Sequence, residues 1–516
     1  MSILKAADIR LTIRPVLLGL EHRYFYEGPC RFGQGEALQP GFDKFANEEL
    51  FTRFLEKLKQ YLPEGVDVLE PVRAGRTDDW ENTLEMWKNL GSAMVDADAA
   101  FFFTNIGLDD IVVEFASRFS TPIIIDPESA FSPITDYAAI VAKDPEREVY
   151  APLCWSEATK LLSALRAKKV IRNTRILLVN RFNSAVSFSS VDTFTNHELI
   201  TRRLGARFRY VNAHELLDQM SPLPEGGNHT TPGRVTPNLT EEDLKEANAM
   251  ADELLAGAEV ADISRQYLIN SLVAYITVRK NLELLECNGF TAPCPDICST
   301  RRINEMKFTF CLTHSLMMEQ GIPSSCEYDA DSVLSQQALI AVSGQRPYMG
   351  NTTPLPYEEK EKEFMSLARW PSDEVKARLI AEDPHNLYVM EHSVANRCYR
   401  KPAEKGRYAL RHFAHDQKFG AVLRYDFDQD AGQTVTLCRF SPNGDKLFIS
   451  RGEVVCGDGY GANNCNNLVI FRVKDQLDCY KKQCLVGNHV ALVYGDYTGE
   501  LTRLAEVLGV EPLVSL

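Results

Sequence analysis

Short, almost unbroken apolar runs separated by longer stretches of mixed polarity mark the first third of the chain. AAFFFTN from Ala99 and TPIIIDP from Thr121 are apolar through their middles, and VDVLE begins at Val66. Runs of this length, bounded by turn formers, predict strands covered on both faces, as in a parallel sheet. Stretches of helical texture such as ENTLEMWKNLGSAM fall between them. Strand, helix, strand in that order is the pattern of βαβ units.

The same texture resumes at RILLVNR from Arg175, after the basic helix SEATKLLSALRAKKV. Thr240 followed by Asp243 marks a helix start, with a capping hydroxyl and acids at the positive dipole end. A second helix is expected from Ser264 to about Leu282. The segment PLPEGGNHTTPGRVTPN, residues 222–238, is expected as an exposed excursion. Residues 351–384, rich in Glu, Lys and Pro, have the pattern of a linker followed by a surface helix.

Beyond 385 the pattern changes. LYVMEHS, AVLRYDF, TVTLCRFS, KLFISRGEVV and NLVIFRV are short and β-rich, and SPNGDK is a hairpin signal. HVALVYGD, a strand, and GELTRLAEVLG, a helix, close the chain. The fold expected is α/β: two Rossmann-like domains with parallel sheets, residues 1–170 and 171–352, then a C-terminal β-barrel-like domain over 353–516.

Composition narrows the function. The chain has 516 residues, 45% hydrophobic and 25% charged, with a net charge of −15. That balance argues against a nucleic-acid binder, which needs clustered Lys and Arg. No run approaches the roughly 18 apolar residues of a membrane span. The opening MSILKAADIRLTIRPVLLGL suggests a first strand, not a secretory signal. The 13 cysteines are an odd number, which fits reduced thiols in the cytoplasm. Cys287, Cys294, Cys298, Cys311 and Cys326 cluster in sequence but match no paired zinc spacing, so small buried hydrophobes are the simpler expectation. GDGYGANN at Gly457 is expected as a plain turn.

Three patches carry candidate chemistry. RRINEMKFTFCLTH contains Glu305 and His314. GIPSSCEYDADS places Glu327, Asp329 and Asp331 at alternate positions, which on a strand would point one way. Three such carboxylates repel unless a cation or donors compensate, so this patch suits either a hard-cation site or a solvated acidic turn. GNHVALVYGD holds Asn488, His489 and Asp496, and a histidine beside an apolar strand is by itself compatible with simple packing.

CEYDADSVLSQQALIAVSGQRPYMGN resembles the segment of the L-fucose isomerase family that carries a metal-binding aspartate. GNHVALVYGDYTGELTRLAEVLGVEP resembles the segment with that family's metal histidine, and TVTLCRFSPNGDKLFISRGEVV its C-terminal β-domain. The resemblance implies Asp329 and His489 as metal ligands, and by spacing Glu305 as the third. It implies a Mn²⁺-dependent aldose–ketose isomerase, with Mg²⁺ or Co²⁺ as substitutes. In such an enzyme Glu305 and Asp329 would both ligate the cation and move the proton of an ene-diolate intermediate, on a sugar such as L-fucose or D-arabinose. Asn488 and His392 are candidate sugar contacts, with His412 and His415 weaker ones. A homo-oligomer, trimer or hexamer, is also implied. The family's Gly-Ala-Leu-Thr after the aspartate is here Ser332-Val333-Leu334-Ser335. That departure leaves open a sugar epimerase or lyase on the same scaffold, or a non-catalytic sugar-binding relative.

Overall fold

A computed structural model describes residues 2–25, 34–77, 84–104, 108–129, 132–180, 193–223, 237–294, 297, 301–365, 371–414 and 418–516. Most of the expected excursion at 222–238, together with Cys298 and His415, lies outside the described residues. The chain forms two compact units, Ile9–Arg166 and a second made of Met1–Asp8 with Ala167–Leu516. Among the described residues no helix is long and apolar enough to cross a membrane.

The first unit is a parallel sheet. Its long strand Leu11–Glu21 pairs with Val66–Val68 and Val72–Thr77 on one side and with Ala99–Thr104 on the other. Ile123–Ile125 and Val149–Tyr150 continue the sheet beyond Ala99–Thr104. Ala99–Thr104 and Ile123–Ile125 are buried at every position. This explains why their sequences do not alternate: helices cover both faces.

The second unit holds a four-stranded parallel sheet in the order Ser324–Ser325, Gly289–Thr291, Arg175–Asn180, Arg207–Asn212. The helix Glu241–Gly257 starts as the sequence predicts, with Thr240 and Asp243 in a reciprocal capping box. The helix Arg265–Leu284 follows.

The same unit contains a closed six-stranded antiparallel barrel. Its strands run Thr434–Phe440, His489–Tyr494, Tyr348–Leu355, Leu387–His392, Asn467–Val473 and Lys446–Asp458, which pairs back to Thr434–Phe440. Closure leaves the barrel no unpaired sheet edge. The SPNGDK hairpin joins Thr434–Phe440 to Lys446–Asp458 as expected. The stretch 351–384 divides differently from the sequence reading. Tyr348–Leu355 is a barrel strand, and only Asp373–Glu382 is the surface helix. The Pro and polar residues that suggested a linker sit where this strand leaves the barrel.

The helix Ala330–Ser343 ties the sheet to the barrel. It is buried from Ala330 through Ala341, so its polar residues need internal partners. Ser335 Oγ accepts from the Phe440 N–H at 2.9 Å on the barrel side. On the sheet side Gln336 accepts from the Ser324 N–H at 2.9 Å and donates to the Ser324 carbonyl at 3.0 Å. Its amide thus acts as a strand partner for the residues that lead into the acidic patch. Gly344, at φ 67°, ends the helix in the left-handed cap that glycine adopts without strain.

Candidate active site

The acidic patch is not a strand. After Ser324–Ser325 the chain turns, and Glu327 and Tyr328 both adopt left-handed backbone, at φ 61° and 62°. For residues with a Cβ this costs about 1–2 kcal/mol each. The turn is held from three sides: Tyr328 N–H donates to the Ala292 carbonyl at 3.0 Å, Thr193 Oγ1 donates to the Glu327 carbonyl at 3.1 Å, and Tyr328 hydroxyl bonds Asn180. Asn180 and Ala292 lie at the carboxyl ends of neighbouring parallel strands, where α/β sheets bind their ligands.

Asp329 follows as the cap of the helix Ala330–Ser343, its Oδ1 accepting from the Ser332 N–H at 2.8 Å. Its Oδ2 receives the Arg439 guanidinium at 2.7 Å and faces His489 Nδ1 at 2.9 Å. A carboxylate accepts only, so Nδ1 carries a proton toward Asp329; with no cation Nε2 is protonated as well, facing Glu327, and a bound cation would take the place of that proton. Nε2 lies 2.7 Å from Glu327 Oε2, yet both atoms are buried without a hydrogen-bond partner. The distance is close enough, but the alignment is not that of a hydrogen bond.

His392, the last residue of its barrel strand, places Nε2 3.6 Å from Glu327 Oε1. Its Nδ1 accepts from the Ser393 N–H at 3.0 Å. The neutral ring therefore carries its proton on Nε2, where it too is buried without a hydrogen-bond partner. Cys326 Sγ, a Glu327 oxygen and a His392 nitrogen all lie within 4.8 Å of one another.

Electrostatics separates the acids. Burial would raise the Asp329 carboxyl, but Arg439 and His489 outweigh it and bring it down to about 2. Burial likewise opposes ionisation of Glu327, and His392 and His489 reverse the effect, holding it well below the usual range. Burial and the neighbouring Asp329 charge push Asp331 well above that range. Burial favours neutral His489, but Asp329 and Glu327 together raise it to about 9. Burial takes His314 down to about 3, so that ring is neutral. Cys326 lies against Cys294, and that contact together with burial keeps its thiol protonated.

No protein-family model and no curated protein matches the chain.

Of the residues singled out from the sequence, Asp329, His489 and His392 are brought together and Glu305 is not. Glu305 lies on the short helix Arg301–Met306, whose buried residue is Ile303. Two positions further on, the side chain points away from the core. It is 58% exposed and pairs with Arg301 at 2.5 Å. No contact among the described residues joins it to His489, so the structure does not bring the expected ligand and catalytic carboxylate Glu305 into this cluster. The acid that meets His489 is Glu327. Asp329 also changes part, because three donors already occupy it. A carboxylate offers roughly four acceptor directions, so about one remains for a cation. Its main work is to hold His489 by Nδ1.

Asn488 is exposed and donates to Asn351 Oδ1 at 2.6 Å. It directly precedes His489 in the chain, and its side-chain partner Asn351 pairs with His489 across two strands. His412 accepts from the Ser264 N–H at 3.3 Å at the start of the helix Arg265–Leu284, a structural contact. Arg439 is not among the residues the sequence patches single out. Its signal was present, since it is a charged residue inside the otherwise apolar TVTLCRF, buried at every position but its first.

The orphaned atoms test whether a cation fits. His489 Nε2 with a carboxylate behind its Nδ1 is the arrangement that orients a metal-ligating imidazole. Glu327 supplies an ionised oxygen beside it, and Asp329 has a direction left. Nitrogen and oxygen donors with a protonated thiol nearby suit Mn²⁺ or Mg²⁺ better than a thiolate-bound ion. These residues fit the cation that the family resemblance implies.

Proposed function

We propose that the chain is a metal-dependent aldose–ketose isomerase, with its site built from Glu327, His489, Asp329 and His392. The observation that carries this reading is the convergence of three buried atoms without an aligned hydrogen bond, Glu327 Oε2, His489 Nε2 and His392 Nε2, at one turn. Strain in that turn fits a functional role. Mn²⁺ is the cation of this reading, with Mg²⁺ or Co²⁺ as substitutes, and it would polarise the sugar carbonyl when bound.

Glu327 is the one acid of the patch with solvent access, at 14% against 0% for Asp329 and Asp331. In this proposal one of its oxygens binds the cation. The other removes the proton from C2 of the open-chain aldose and returns it to C1. His392 donates from Nε2 to the carbonyl oxygen as the ene-diolate forms and regains a proton from the neighbouring hydroxyl. Asp329 and Arg439 position His489. A homo-oligomer (trimer or hexamer) in the cytoplasm completes the reading, supported by the resemblance and by eleven free cysteines among the described residues.

The test combines metal analysis of the purified protein with an aldose-to-ketose screen, L-fucose and D-arabinose included, with EDTA and with added Mn²⁺. Metal-dependent ketose formation that is lost in Glu327→Gln is the expected result. A protein that holds no cation and converts no sugar would overturn the reading. A cation released by His489→Ala without any conversion would keep the site and replace the reaction.

A further inference from the structure

Among the described residues Arg424 has no counterpart to its charge. It lies on the strand Val422–Tyr425 and is fully buried. Among the described residues no carboxylate lies within ion-pair distance of it. Its Nη2 donates to the Asn464 carbonyl, while Nε and Nη1 have no hydrogen-bond partner. A guanidinium carries five donors and cannot discard its charge. Burying it with one neutral acceptor is costly unless something anionic completes it.

Its surroundings are rich in donors and poor in acceptors. The Asn464 carbonyl also accepts from Ser393 Oγ and from the Asn466 N–H, the last at 3.0 Å. Three donors therefore compete for one oxygen that has two lone pairs. Asn464 itself sits in left-handed backbone at φ 63°, with its N–H committed to the Phe413 carbonyl at 2.6 Å. Its electrostatic neighbours include the Tyr348 hydroxyl, the thiols of Cys311 and Cys465, and a second cation, Arg411. The hydroxyl and both thiols are held neutral, Cys311 by its contact with Cys294 and by burial, Tyr348 and Cys465 by burial. None supplies a negative charge.

Ser393 directly follows His392, whose Nε2 faces Glu327. The donor-rich spot and the proposed reaction centre are thus separated by one residue along a single strand end. We propose that Arg424, with Ser393, is the receptor for an oxyanion carried by the substrate, so that the sugar isomerised is an acidic or phosphorylated aldose and not a neutral one. This deepens the isomerase reading and rests on it for the word substrate, though not for the anion site itself.

The experiment has a binding arm and a conversion arm. In the first, Glu327→Gln protein, wild type and Arg424→Gln are titrated calorimetrically at constant ionic strength. The probes are an aldose with a terminal phosphate, a hexuronate, and the parent neutral aldose. Wild type and Glu327→Gln should bind at least one of the two anionic sugars at least about 10-fold more tightly than the neutral one. Arg424→Gln should lose about 10- to 100-fold, the usual size for hydrogen bonds to a charged group. The comparison between phosphate and carboxylate tells which oxyanion is taken. Arg424→Gln should also unfold at a higher temperature than wild type without ligand, because an unpaired buried charge is gone. That measurement separates a folded variant from a collapsed one. Equal binding of neutral and anionic sugars by wild type overturns the proposal whatever the variant does.

In the second arm kcat/KM is compared for the same sugars. Preference for an anionic aldose supports the proposal. Equal conversion of the neutral aldose overturns the proposal while the isomerase reading stands. Anion binding through Arg424 with no conversion keeps the receptor and removes the isomerase reading.

Discussion

Replacing Glu305 and Glu327 in turn by glutamine sets the sequence expectation directly against the structure. Glu305 is on the surface, with its Arg301 partner 90% exposed. An exposed pair four residues apart on a helix contributes about 0.3–0.5 kcal/mol, so Glu305→Gln should shift the unfolding midpoint by under 1 °C or so in a unit of this size. Metal content and kcat should be unchanged. Glu327→Gln keeps the shape but removes the ionised oxygen that lies 2.7 Å from His489 Nε2 and 3.6 Å from His392 Nε2. A positioned general base contributes about 10²- to 10⁴-fold. Loss of a charged ligand adds a drop in cation affinity. Activity should therefore fall by at least about 10³-fold at saturating Mn²⁺. The assay is ketose formation across a Mn²⁺ series, beside metal content after dialysis. Loss of activity and metal in Glu305→Gln, with both retained in Glu327→Gln, would refute this assignment and restore the one suggested by spacing alone.

Three further outcomes follow from the geometry. Arg439→Met leaves the buried Asp329 carboxylate with His489 as its remaining charged partner and removes the bond to the His489 carbonyl at 2.6 Å. It should cost about 3–5 kcal/mol, and the double variant with Asp329→Asn should recover about 2 kcal/mol or more of that in urea unfolding. Gly487, at φ 115°, has a backbone conformation that side chains rarely adopt, and a Cβ there would crowd Arg439 Nε at 3.0 Å. Gly487→Ala should cost about 1–3 kcal/mol and lower metal affinity by displacing His489. In the first unit, Asp136 is buried without a hydrogen-bond partner. Burial and the nearby Asp109 raise its carboxyl to about 8 from 3.8. A raised carboxyl is penalised increasingly as pH climbs from its unfolded value through its folded one. Asp136→Asn should therefore add about 1–2 kcal/mol at pH 9, with screening allowed for, and nothing near pH 4. A gain in unfolding temperature that does not vary with pH would contradict this cause.

The sequence by itself determined the fold class and the local elements. Continuous apolar runs at Ala99 and Thr121 became doubly covered parallel strands, and the Thr240–Asp243 cap became a helix start. SPNGDK became the hairpin between two barrel strands. These are properties of neighbours in the chain, where periodicity and turn chemistry act over a few residues. His489 and Asp329 stand out in the sequence as well, because each begins an element with a strong local pattern, and the fold puts them 2.9 Å apart.

Only the tertiary structure decided which acid meets which imidazole. Alternation predicts that Glu327, Asp329 and Asp331 share a strand face, but two left-handed residues break the strand and give the three acids separate environments. The sequence places Glu305 near enough to serve. The burial of Ile303 turns its helix so that Glu305 faces solvent. Arg439 reaches Asp329 across 110 residues of chain, and Arg424 is buried with no carboxylate of the described residues within ion-pair distance. Spacing along a chain does not encode such distances. They are set when the barrel closes and the helix Ala330–Ser343 packs against it, which fixes side chains from remote segments in one small buried volume.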